Sequence, residues 1–508
     1  SITATTNFRK RAFGLKNQFL RVMYTSFRLS NVQIQYTDST FTENIFLPEA
    51  AYDGENFSAL LVNQKSDDST VLTGAVLKKN KSYQFTLQDI GKKNAYLPFL
   101  DREHGLQCRF QSVTANIAFD DTRGAFQIST NCEARNFEIN HWRIAKEDVV
   151  VPHARLSAMW HIHDDAIELD STSSFTLGQI PVQLFSSYSI APDTTFVLNV
   201  RVAETVSDTF FNSLPKGMFS TLKGISCSGI LNYQLDFFIN TQQPDSLIFS
   251  SSLTRKNFWL NHYGAENYGR INTPFTYDAY DIDRLVRKIV IGPENPYFTP
   301  IDRINPYLTK SVLQSEDPSF MQHRGFLPEA FRESVIENYK EKRFARGGST
   351  ISMQLVKNVF LSRDKTISRK VEEALIVYLI ENLGLVSKER MLEVYLNVIE
   401  WGPDVYGIGE ASRFYFSKKP AELTLQESIF LASIIPAPKY FRYRFDKEGN
   451  LRPSIEGYFR TLCSRMAGKG WLTTADTMGL LPHVQLKGPA RNFVLPADSV
   501  EIKEEEDF

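Results

Sequence analysis

Long apolar runs and cysteines are both scarce in this chain of 508 residues. No stretch reaches the roughly 18 apolar residues that a membrane-spanning helix needs, so the sequence predicts none. The four cysteines, Cys108, Cys132, Cys227 and Cys463, follow no metal-binding spacing. A disulfide between Cys108 and Cys132 and a set of buried free thiols are both compatible with that spacing.

Net charge is nearly absent as well, at −1, so the composition excludes a chain that binds polyanions through bulk charge. The charge is unevenly placed, however. Between Asn338 and Lys370, nine basic residues stand against two acidic ones, Glu341 and Asp364. A solvated helical face is the ordinary meaning of such a run, and an anion site is the alternative. The basic residues are Lys340, Lys342, Arg343, Arg346, Lys357, Arg363, Lys365, Arg369 and Lys370.

Hydrophobic periodicity divides the chain into two kinds of structure. From about residue 25 to 290 apolar residues alternate with polar ones, as in Leu198-Asn199-Val200, which indicates strands. Prolines crowd 291–306, and helical spacing follows, as in Ile351, Leu355 and Val359. The predicted fold is multidomain β + α. It has an N-terminal long antiparallel β-domain (1–290), a Pro-rich linker (291–306), a C-terminal all-α domain (307–480) and a tail (481–508).

A series of short motifs fills the region from Glu316 to Tyr440. In order they are Glu316-Asp317-Pro318-Ser319-Phe320, His323-x-Gly325, Gly347-Gly348-Ser349-Thr350-Ile351-Ser352-Met353-Gln354-Leu355-Val356-Lys357-Asn358, Arg369-Lys370-x-x-Glu373, Glu393-Val394-Tyr395-Leu396-Asn397, Glu400-Trp401-Gly402-Pro403, Leu423-Thr424 with Glu427, and Pro436-x-Pro438. The series resembles the peptidoglycan glycosyltransferases, glycosyltransferase family 51, which polymerise lipid II, and covers roughly 170 residues. The resemblance implies a lysozyme-like C-terminal domain. The chain after Gly470 is too short for a transpeptidase domain, which fits the monofunctional members.

The resemblance implies an inverting displacement that needs a base and a cationic site for the departing pyrophosphate. Glu316 is the candidate base. It follows a predicted helix (307–314), and we expect nearby Lys and Arg residues to lower its pKa and keep it ionised. Glu373 resembles the family's second essential glutamate. It is either an ion-pair partner of Arg369 or an orienting group for the donor pyrophosphate, through Mg²⁺ or Mn²⁺ as one option. No organic cofactor is implied.

The glycine loop before Ile351 opens a predicted helix, where backbone amides favour anions. Ser349 is equally suited to be the N-cap of that helix, and Asp317 to position Glu316 or a cationic neighbour. Phe326, Leu327 and Phe331 either form a membrane-dipping surface, as in the family, or the core of a short helix. The predicted substrate-binding residues are Asp317, His323, Gly348, Ser349, Thr350, Gln354, Lys357, Lys365, Arg369, Lys370 and Asn397.

The resemblance also implies partners and a location. The partners are lipid II, the growing glycan strand and a membrane, with a transpeptidase or other envelope protein left open and no nucleic acid. The location is the bacterial cell envelope, on the periplasmic side of the inner membrane. Family members carry one N-terminal membrane-spanning helix, so we expect an inner-membrane anchor that is absent from this chain.

Two other functions stay open. One is a glycan-cleaving, lysozyme-like enzyme, which would use a carboxylic acid to protonate a leaving oxygen. The other is a lipid-binding or scaffold envelope protein that acts through its β-domain. That domain is vaguely similar to the AsmA-like envelope proteins, whose strands form a lipid-holding groove, although no diagnostic motif supports this. An ordinary β-sandwich or curved sheet is the alternative.

Overall fold

The chain forms two compact units. The computed structural model describes residues 7–22, 26–37, 42–63, 68–77, 82–90, 95–96, 105–122, 124–281, 284–343, 347–446, 448–478 and 480–494. Arg346 of the basic run, and the predicted tail from 495 onward, therefore lie outside the described residues. The β-sheet unit comprises Ser1–Ala265, Phe331–Arg343 and Asp364–Lys370. The helical unit comprises Glu266–Ala330, Phe344–Arg363 and Val371–Phe508.

The β-sheet unit is built on one sheet in which every described pairing is antiparallel, so the prediction of a long antiparallel N-terminal β-region is confirmed. Its strands are β1 (Phe27–Thr37), β2 (Thr42–Tyr52), β3 (Asn56–Asn63), β4 (Asp68–Leu77), β5 (Ser82–Asp89), β6 (Ala95–Tyr96), β7 (Gln107–Phe110), β8 (Ser112–Thr122), β9 (Ala125–Asn140), β10 (Val149–Ile162), β11 (Ala166–Leu169), β12 (Ser174–Leu177), β13 (Ile180–Ser189), β14 (Thr195–Val206), β15 (Ser226–Asn240) and β16 (Ile248–His262).

Strands that follow each other along the chain pair with each other almost throughout. The main path runs β1-β2-β3-β4-β5-β8-β9-β10-β11-β13-β14-β15-β16, while β12 pairs with β10 and β13, and β7 with β6 and β9. Pairing between strands that follow each other in sequence is the arrangement that antiparallel strands allow. Two helices were not predicted in this region, α1 (Phe8–Val22) and α2 (Ser207–Asn212).

Cross-strand pairs of apolar residues hold the sheet together. Leu198 lies opposite Phe237, and Val200 opposite Leu235, as alternation within each strand requires. The expected contrast between a buried and a wet face is weaker than alternation suggested, because the first seven residues of β14 are all half-buried. All four cysteines are free thiols, so the structure favours the second of the two cysteine alternatives.

The helical unit contains most of the described helices, which confirms a helical C-terminal region. They are α3 (Pro306–Glu316), α4 (Pro328–Glu341), α5 (Ile351–Phe360), α6 (Ile367–Asn382), α7 (Lys388–Val398), α8 (Ile408–Phe416), α9 (Leu425–Ile434), α10 (Glu456–Gly468) and α11 (Thr474–Thr477). Parts of α4 and α6 belong to the β-sheet unit. Among the residues described, no helix combines the length and apolar character required to cross a membrane.

Two small hairpins accompany these helices and depart from a purely helical region. One joins β17 (Phe275–Asp281) to β18 (Arg284–Ile291), and the other joins β19 (Glu400–Gly402) to β20 (Val405–Tyr406). The second hairpin lies inside the range predicted as all-α. It is too short for period-two alternation to be recognised, which is why the helical pattern around it hid it.

The core of the helical unit positions the motif-bearing helices. Helix α9 is buried along most of its length and packs against α3, whose last residue is Glu316. Helix α5 packs against α7 through its apolar face, in which Ile351 and Leu355 are fully buried. This packing brings the end of α3, the glycine loop before α5 and the middle of α7 toward one another.

Candidate functional site

Glu316, the predicted base, ends helix α3 and faces α5. Gln354 Nε2 donates a hydrogen bond to Glu316 Oε2 at 3.0 Å, and Ser315 Oγ lies 3.5 Å from Oε1. Burial raises the pKa of Glu316 above its ordinary value, more than these hydrogen bonds and the charge of Lys357 lower it. The expectation that neighbouring cations give this carboxyl a lowered pKa is therefore wrong, because desolvation disfavours the charged form more strongly.

A second hydrogen bond fixes the orientation of Gln354. The hydroxyl of Tyr395, on α7, donates to Gln354 Oε1 at 3.0 Å. With its carbonyl oxygen engaged in this way, the amide presents its NH₂ group to Glu316, an orientation assigned from the hydrogen-bond network. Tyr395 is fully buried, and burial together with the charge of Glu316 raises its pKa well above the usual value. The result is a continuous chain from Tyr395 through Gln354 to Glu316.

Sequence reasoning missed Tyr395 as a site residue, although it lies within the quoted motif Glu393-Val394-Tyr395. The available signal was chemical. A tyrosine in an apolar, helical stretch is expected to be buried, and a buried hydroxyl needs a polar partner. That rule predicts a partner but does not say which residue it is.

Asp317 is held by two donors and is not a free base. Its side chain is almost completely buried, and it accepts hydrogen bonds from His323 Nε2 at 2.9 Å and from the Ile351 amide at 3.1 Å. His323 Nδ1 accepts from the Gly325 amide at 2.9 Å, so the proton of this ring is on Nε2. Asp317 thus holds the neutral ring of His323 and the start of α5, and the two roles predicted for it, positioning Glu316 or a cationic neighbour, stay predictions.

The glycine loop opens helix α5 as predicted, but its N-cap is Thr350 and not Ser349. Thr350 Oγ1 accepts a hydrogen bond from the Met353 amide at 3.3 Å and donates to the Gly325 carbonyl at 2.6 Å. A β-extended residue with a hydroxyl side chain satisfies an otherwise unpaired amide of the first turn. Gly348 and Ser349, both half-buried, precede this cap, and their role in substrate binding stays a prediction.

Asn397 has a full set of backbone partners. Its Oδ1 accepts from the Thr299 amide, and its Nδ2 donates to the carbonyls of Thr299 and Glu393, all at 2.8–2.9 Å. The side chain is 3% exposed. These contacts explain the asparagine at this position as a residue that stabilises the fold. Its contact with substrate stays a prediction.

The remaining predicted residues lie in both units. Lys357 lies in the helical unit, half-buried on α5. In the β-sheet unit, Lys365 and Lys370 are exposed and Arg369 is half-buried, with its Nε donating to the Asp364 carbonyl. Glu373 lies on α6 in the helical unit and is 1% exposed, and its two predicted roles, ion-pair partner of Arg369 or orienting group for the pyrophosphate, stay predictions.

The helical unit thus brings together Glu316, Asp317, His323, Thr350 and Gln354 from three separate motifs. The arrangement can do one thing chemically. A desolvated carboxylate with an amide donor on one oxygen can accept a proton from a bound hydroxyl, while the adjacent carboxylate keeps the imidazole and the glycine loop in place.

Comparison with known proteins identifies the family to which the helical unit is similar. A family model described as Transglycosylase matches residues 283–454. A biosynthetic peptidoglycan transglycosylase of Dechloromonas aromatica is 38% identical over 183 residues, which are 36% of this chain and 77% of that protein. The protein of the same name from Nitrosomonas eutropha is 46% identical over 205 residues, 39% of this chain and 80% of its own. That from Nitrosomonas europaea is 38% identical over 208 residues, 40% of this chain and 82% of its own.

The family-model match contains Glu316, the glycine loop and Tyr395. The matches to the three relatives extend over 77–82% of each relative. The chain therefore belongs to the biosynthetic peptidoglycan transglycosylase family.

Proposed function

We propose that this protein is a monofunctional, inverting peptidoglycan glycosyltransferase, whose helical unit has a lysozyme-like fold and polymerises lipid II into glycan strands. The observation that carries the proposal is the chain from Tyr395 through Gln354 to Glu316, which places an oriented amide on a desolvated carboxyl. Membership of the transglycosylase family supports the reaction class.

The reaction is a single displacement at the anomeric carbon of the growing strand. The 4-hydroxyl of the acceptor sugar forms a new C–O bond to that carbon, and the bond to pyrophosphate breaks with inversion. Glu316 takes the hydroxyl proton, and polyprenyl pyrophosphate leaves with the electron pair. A carboxyl whose pKa is raised by burial is a better match to a base working near neutral pH than an ordinary glutamate.

Positive charge stabilises the departing pyrophosphate in this proposal. Lys357, Lys365, Arg369 and Lys370 are the side chains that we assign to it, since preorganised cations act most strongly where charge develops in the transition state. The half-buried Lys357 carries the additional role of favouring the ionised form of Glu316.

A divalent ion remains part of the proposal only in a limited form. Among the described residues there is no group of three or more His, Cys, Asp and Glu side chains arranged to hold a metal. Two adjacent buried carboxyl groups, Glu372 and Glu373, are present on α6. Mg²⁺ is commonly bound by one or two carboxylates and completed by substrate phosphates. Because consecutive residues on a helix do not face each other, we assign only Glu373 of this pair to such a site. The ion would supply charge neutralisation to the pyrophosphate, while Glu373 orients it.

The substrate determines the proposed location. A polyprenyl-linked donor is confined to a membrane, so the enzyme must act at a membrane surface of the cell envelope. We assign it to the periplasmic face of the inner membrane, where an anchor and a transpeptidase or other envelope partner stay predictions.

A second candidate function is favoured by one specific observation. A buried carboxyl with a raised pKa is also what a glycan-cleaving enzyme uses as its general acid. Such an enzyme needs no cationic site for pyrophosphate, which is why the basic residues favour polymerisation over cleavage.

The test is polymerisation of fluorescent lipid II by membrane-reconstituted protein. We expect polymer from the wild type and none from Glu316→Gln, which keeps the side-chain volume and removes the base. Glu373→Gln should also be inactive or strongly impaired. Glu389→Gln is the matched control, because it makes the same change at an exposed position on α7 and should leave the rate unchanged.

Each rival predicts a different result. If the wild type cleaves a labelled glycan polymer and Glu316→Gln does not, the result would indicate that the protein hydrolyses glycan and does not polymerise it. If neither the wild type nor any variant makes or cleaves polymer, but lipid II still binds, the result would favour a lipid-binding or scaffold protein that acts through the β-sheet unit.

A further inference from the structure

Two segments that carry or adjoin the proposed pyrophosphate site belong to the β-sheet unit. Phe331–Arg343 precedes the glycine loop in sequence, and Asp364–Lys370 contains three of the four basic residues assigned above. Both lie within the range of the transglycosylase match. Their contacts within the β-sheet unit are specific and involve main-chain hydrogen bonds.

The first segment, part of α4, packs on the connection between β15 and β16. Arg332 donates through Nε to the Leu247 carbonyl and through Nη2 to the Asp245 carbonyl, both at 2.5 Å. The rings of Phe331 and Phe249 lie 4.4 Å apart. Carbonyl oxygens in a tight turn are fixed acceptors, so a guanidinium that binds two of them fixes the position of the helix that carries it. Phe331 is half-buried in this contact, and the choice between a membrane-dipping surface and the core of a short helix stays a prediction.

An ion pair extends this first anchor. Lys340 Nζ lies 2.6 Å from Oδ1 and 2.7 Å from Oδ2 of Asp245, and the Tyr339 hydroxyl donates to the Thr241 carbonyl at 3.2 Å. The ion pair is exposed and adds little by itself. Its position shows that the contact continues along two turns of the helix.

The second segment is anchored by the connection between β9 and β10. The amide of Ile367 donates to the Arg143 carbonyl at 2.8 Å, and the amide of Ser368 donates to the Ile144 carbonyl at 2.9 Å. These are the first two residues of α6, whose amides have no partner within the helix. The connection is itself folded, since the Ile144 amide donates to the His141 carbonyl at 2.8 Å.

This anchor has a consequence for anion binding. The first amides of a helix are ordinarily where a phosphate binds, but in α6 carbonyls of the β-sheet unit occupy two of them. The Arg369 amide is taken as well, by Thr366 Oγ1 at 3.2 Å. Recognition of an anion at this end of α6 therefore falls to side chains, and the direction of those side chains depends on the anchor.

We propose that the β-sheet unit is a positioning element of the glycosyltransferase, which fixes the first turn of α6 so that Lys365, Arg369 and Lys370 meet the pyrophosphate. The inference rests on the proposed function. Residues Arg143 and Ile144 are positioning residues that act only through their carbonyls, and the β-sheet unit is thereby required for full activity in addition to whatever it binds.

Ile367→Pro tests the anchor at one atom. Proline has no amide hydrogen, so it removes the bond to Arg143, while its fixed φ suits the first position of a helix. Ile367 is 60% exposed, so the loss of its side chain costs little packing. Ile367→Ala is the matched control, because it makes a similar side-chain loss and keeps the amide.

We expect Ile367→Pro to lower kcat/KM for lipid II by roughly 10-fold to 100-fold, the scale of a displacement of about 1 Å in a positioned group. Ile367→Ala should stay within about twofold of the wild type, the range of a surface substitution. On a Lys370→Ala background the proline should cost much less, because the two changes remove the same interaction. Additive effects would mean that the anchor does not act through the basic residues.

A second variant addresses the other anchor and covers a failure of Ile367→Pro to fold. Phe249→Ala removes the ring that contacts Phe331, and Phe119→Ala removes a ring that stacks on Phe126 elsewhere in the same unit. We expect Phe249→Ala to lower kcat/KM more than Phe119→Ala at an equal loss of thermal stability. Equal activity in the two variants would overturn the proposal for this segment.

Hydrogen exchange in the intact protein separates this inference from the proposed function. Ile367→Pro should speed exchange of the amides in 364–370 relative to Ile367→Ala, whether or not lipid II is polymerised. Faster exchange in Ile367→Pro, together with a wild type that does not polymerise lipid II, would support the anchor and contradict the proposed function. Unchanged exchange and unchanged activity in Ile367→Pro, with an active wild type, would reject the anchor alone.

Discussion

At the scale of single residues, burial and the surrounding hydrogen-bond donors have opposite effects on the pKa of Glu316. Glu316 is desolvated, which raises its pKa, and Gln354 and Ser315 hydrogen-bond to it, which lowers the pKa by a smaller amount. The base is therefore ionised less readily than an exposed glutamate. The donors limit this effect, and the orientation of Gln354 depends in turn on Tyr395.

The first prediction concerns the pH dependence of this base. We expect kcat to fall at low pH with an apparent pKa above the ordinary glutamate value of 4.5. Gln354→Leu removes a hydrogen bond to the ionised form, so this acidic limb should move to higher pH. Tyr395→Phe should move it less, because the amide remains and loses only its fixed orientation. An acidic limb that stays in place in Gln354→Leu would show that Glu316 is not the group that titrates.

The second prediction concerns stability. A carboxyl whose pKa is raised on folding binds a proton more tightly in the folded state, so its contribution is present at low pH and is lost as pH rises through the folded-state pKa. At neutral pH the ionised Glu316 therefore opposes folding. We expect Glu316→Gln to raise the melting temperature at pH 7 and to leave it nearly unchanged at pH 4.

Differential scanning calorimetry at the two pH values measures this effect, with Glu389→Gln as the exposed control. A lower melting temperature for Glu316→Gln at pH 7 would mean that the donors around Glu316 outweigh its burial. In that case the ionised form of Glu316, which the reaction needs, would not destabilise the folded protein.

Most of these residues could be identified from the sequence, but the buried environment of Glu316 could not. Glu316, Asp317 and Gln354 stand in motifs whose order carries the family resemblance, so their importance was readable. The direction of the pKa shift of Glu316 could not be read from the sequence. The sequence shows the charge of Lys357, but it does not show how α5 and α7 pack over the carboxyl. Ser349, the N-cap that the sequence suggested, is one residue too early, because only backbone geometry distinguishes it from the adjacent Thr350.

At the scale of elements, the approach of α6 to the chain after His323 explains an otherwise unremarkable glycine. Gly325 has φ = +99°, and a Cβ atom there would lie 2.2 Å from Val377 Cγ1. Its amide donates to His323 and its carbonyl accepts from Thr350. The glycine therefore connects the imidazole, the cap of α5 and the packing of α6.

The third prediction follows from this close contact. Gly325→Ala should lower the free energy of unfolding by about 2–5 kcal/mol, from the left-handed backbone and from overpacking against Val377. Gly384→Ala is the matched control, because Gly384 also has a left-handed φ, of +62°, but open space around it. It should lose only about 1–2 kcal/mol. Urea unfolding measures both, and equal losses would mean that the contact with Val377 relaxes freely.

Elements were predicted unevenly, for physical reasons. The strands of β14 and β15 and the helix α5 were readable because each repeats its pattern over several turns or pairs. Helix α1 precedes the range in which the strand pattern was read, and β19 and β20 are too short to show any period. The partners of the elements are set by tertiary contacts, such as Arg332 with the Asp245 carbonyl, across 87 positions of sequence.

At the scale of the whole molecule, the chain passes between its two units five times, after Ala265, Ala330, Arg343, Arg363 and Lys370. A single crossing leaves two domains free to unfold separately. Here the stretch Phe344–Arg363, which contains α5, is flanked in sequence on both sides by segments of the β-sheet unit. Helix α5 carries Gln354 and follows the glycine loop, so part of the site stands in sequence between two segments of the β-sheet unit.

The fourth prediction is therefore one cooperative thermal transition, in place of the two that separate domains would give. Phe126 is fully buried in the β-sheet unit, and Phe126→Ala should cost about 3–5 kcal/mol. We expect this change to lower the single calorimetric melting temperature and to speed hydrogen exchange in α5 as well as in β9. Ile34→Ala, at an exposed position on β1, should do neither. Two resolved transitions, with only one moved by Phe126→Ala, would show that the helical unit folds independently and that the five crossings do not couple the units.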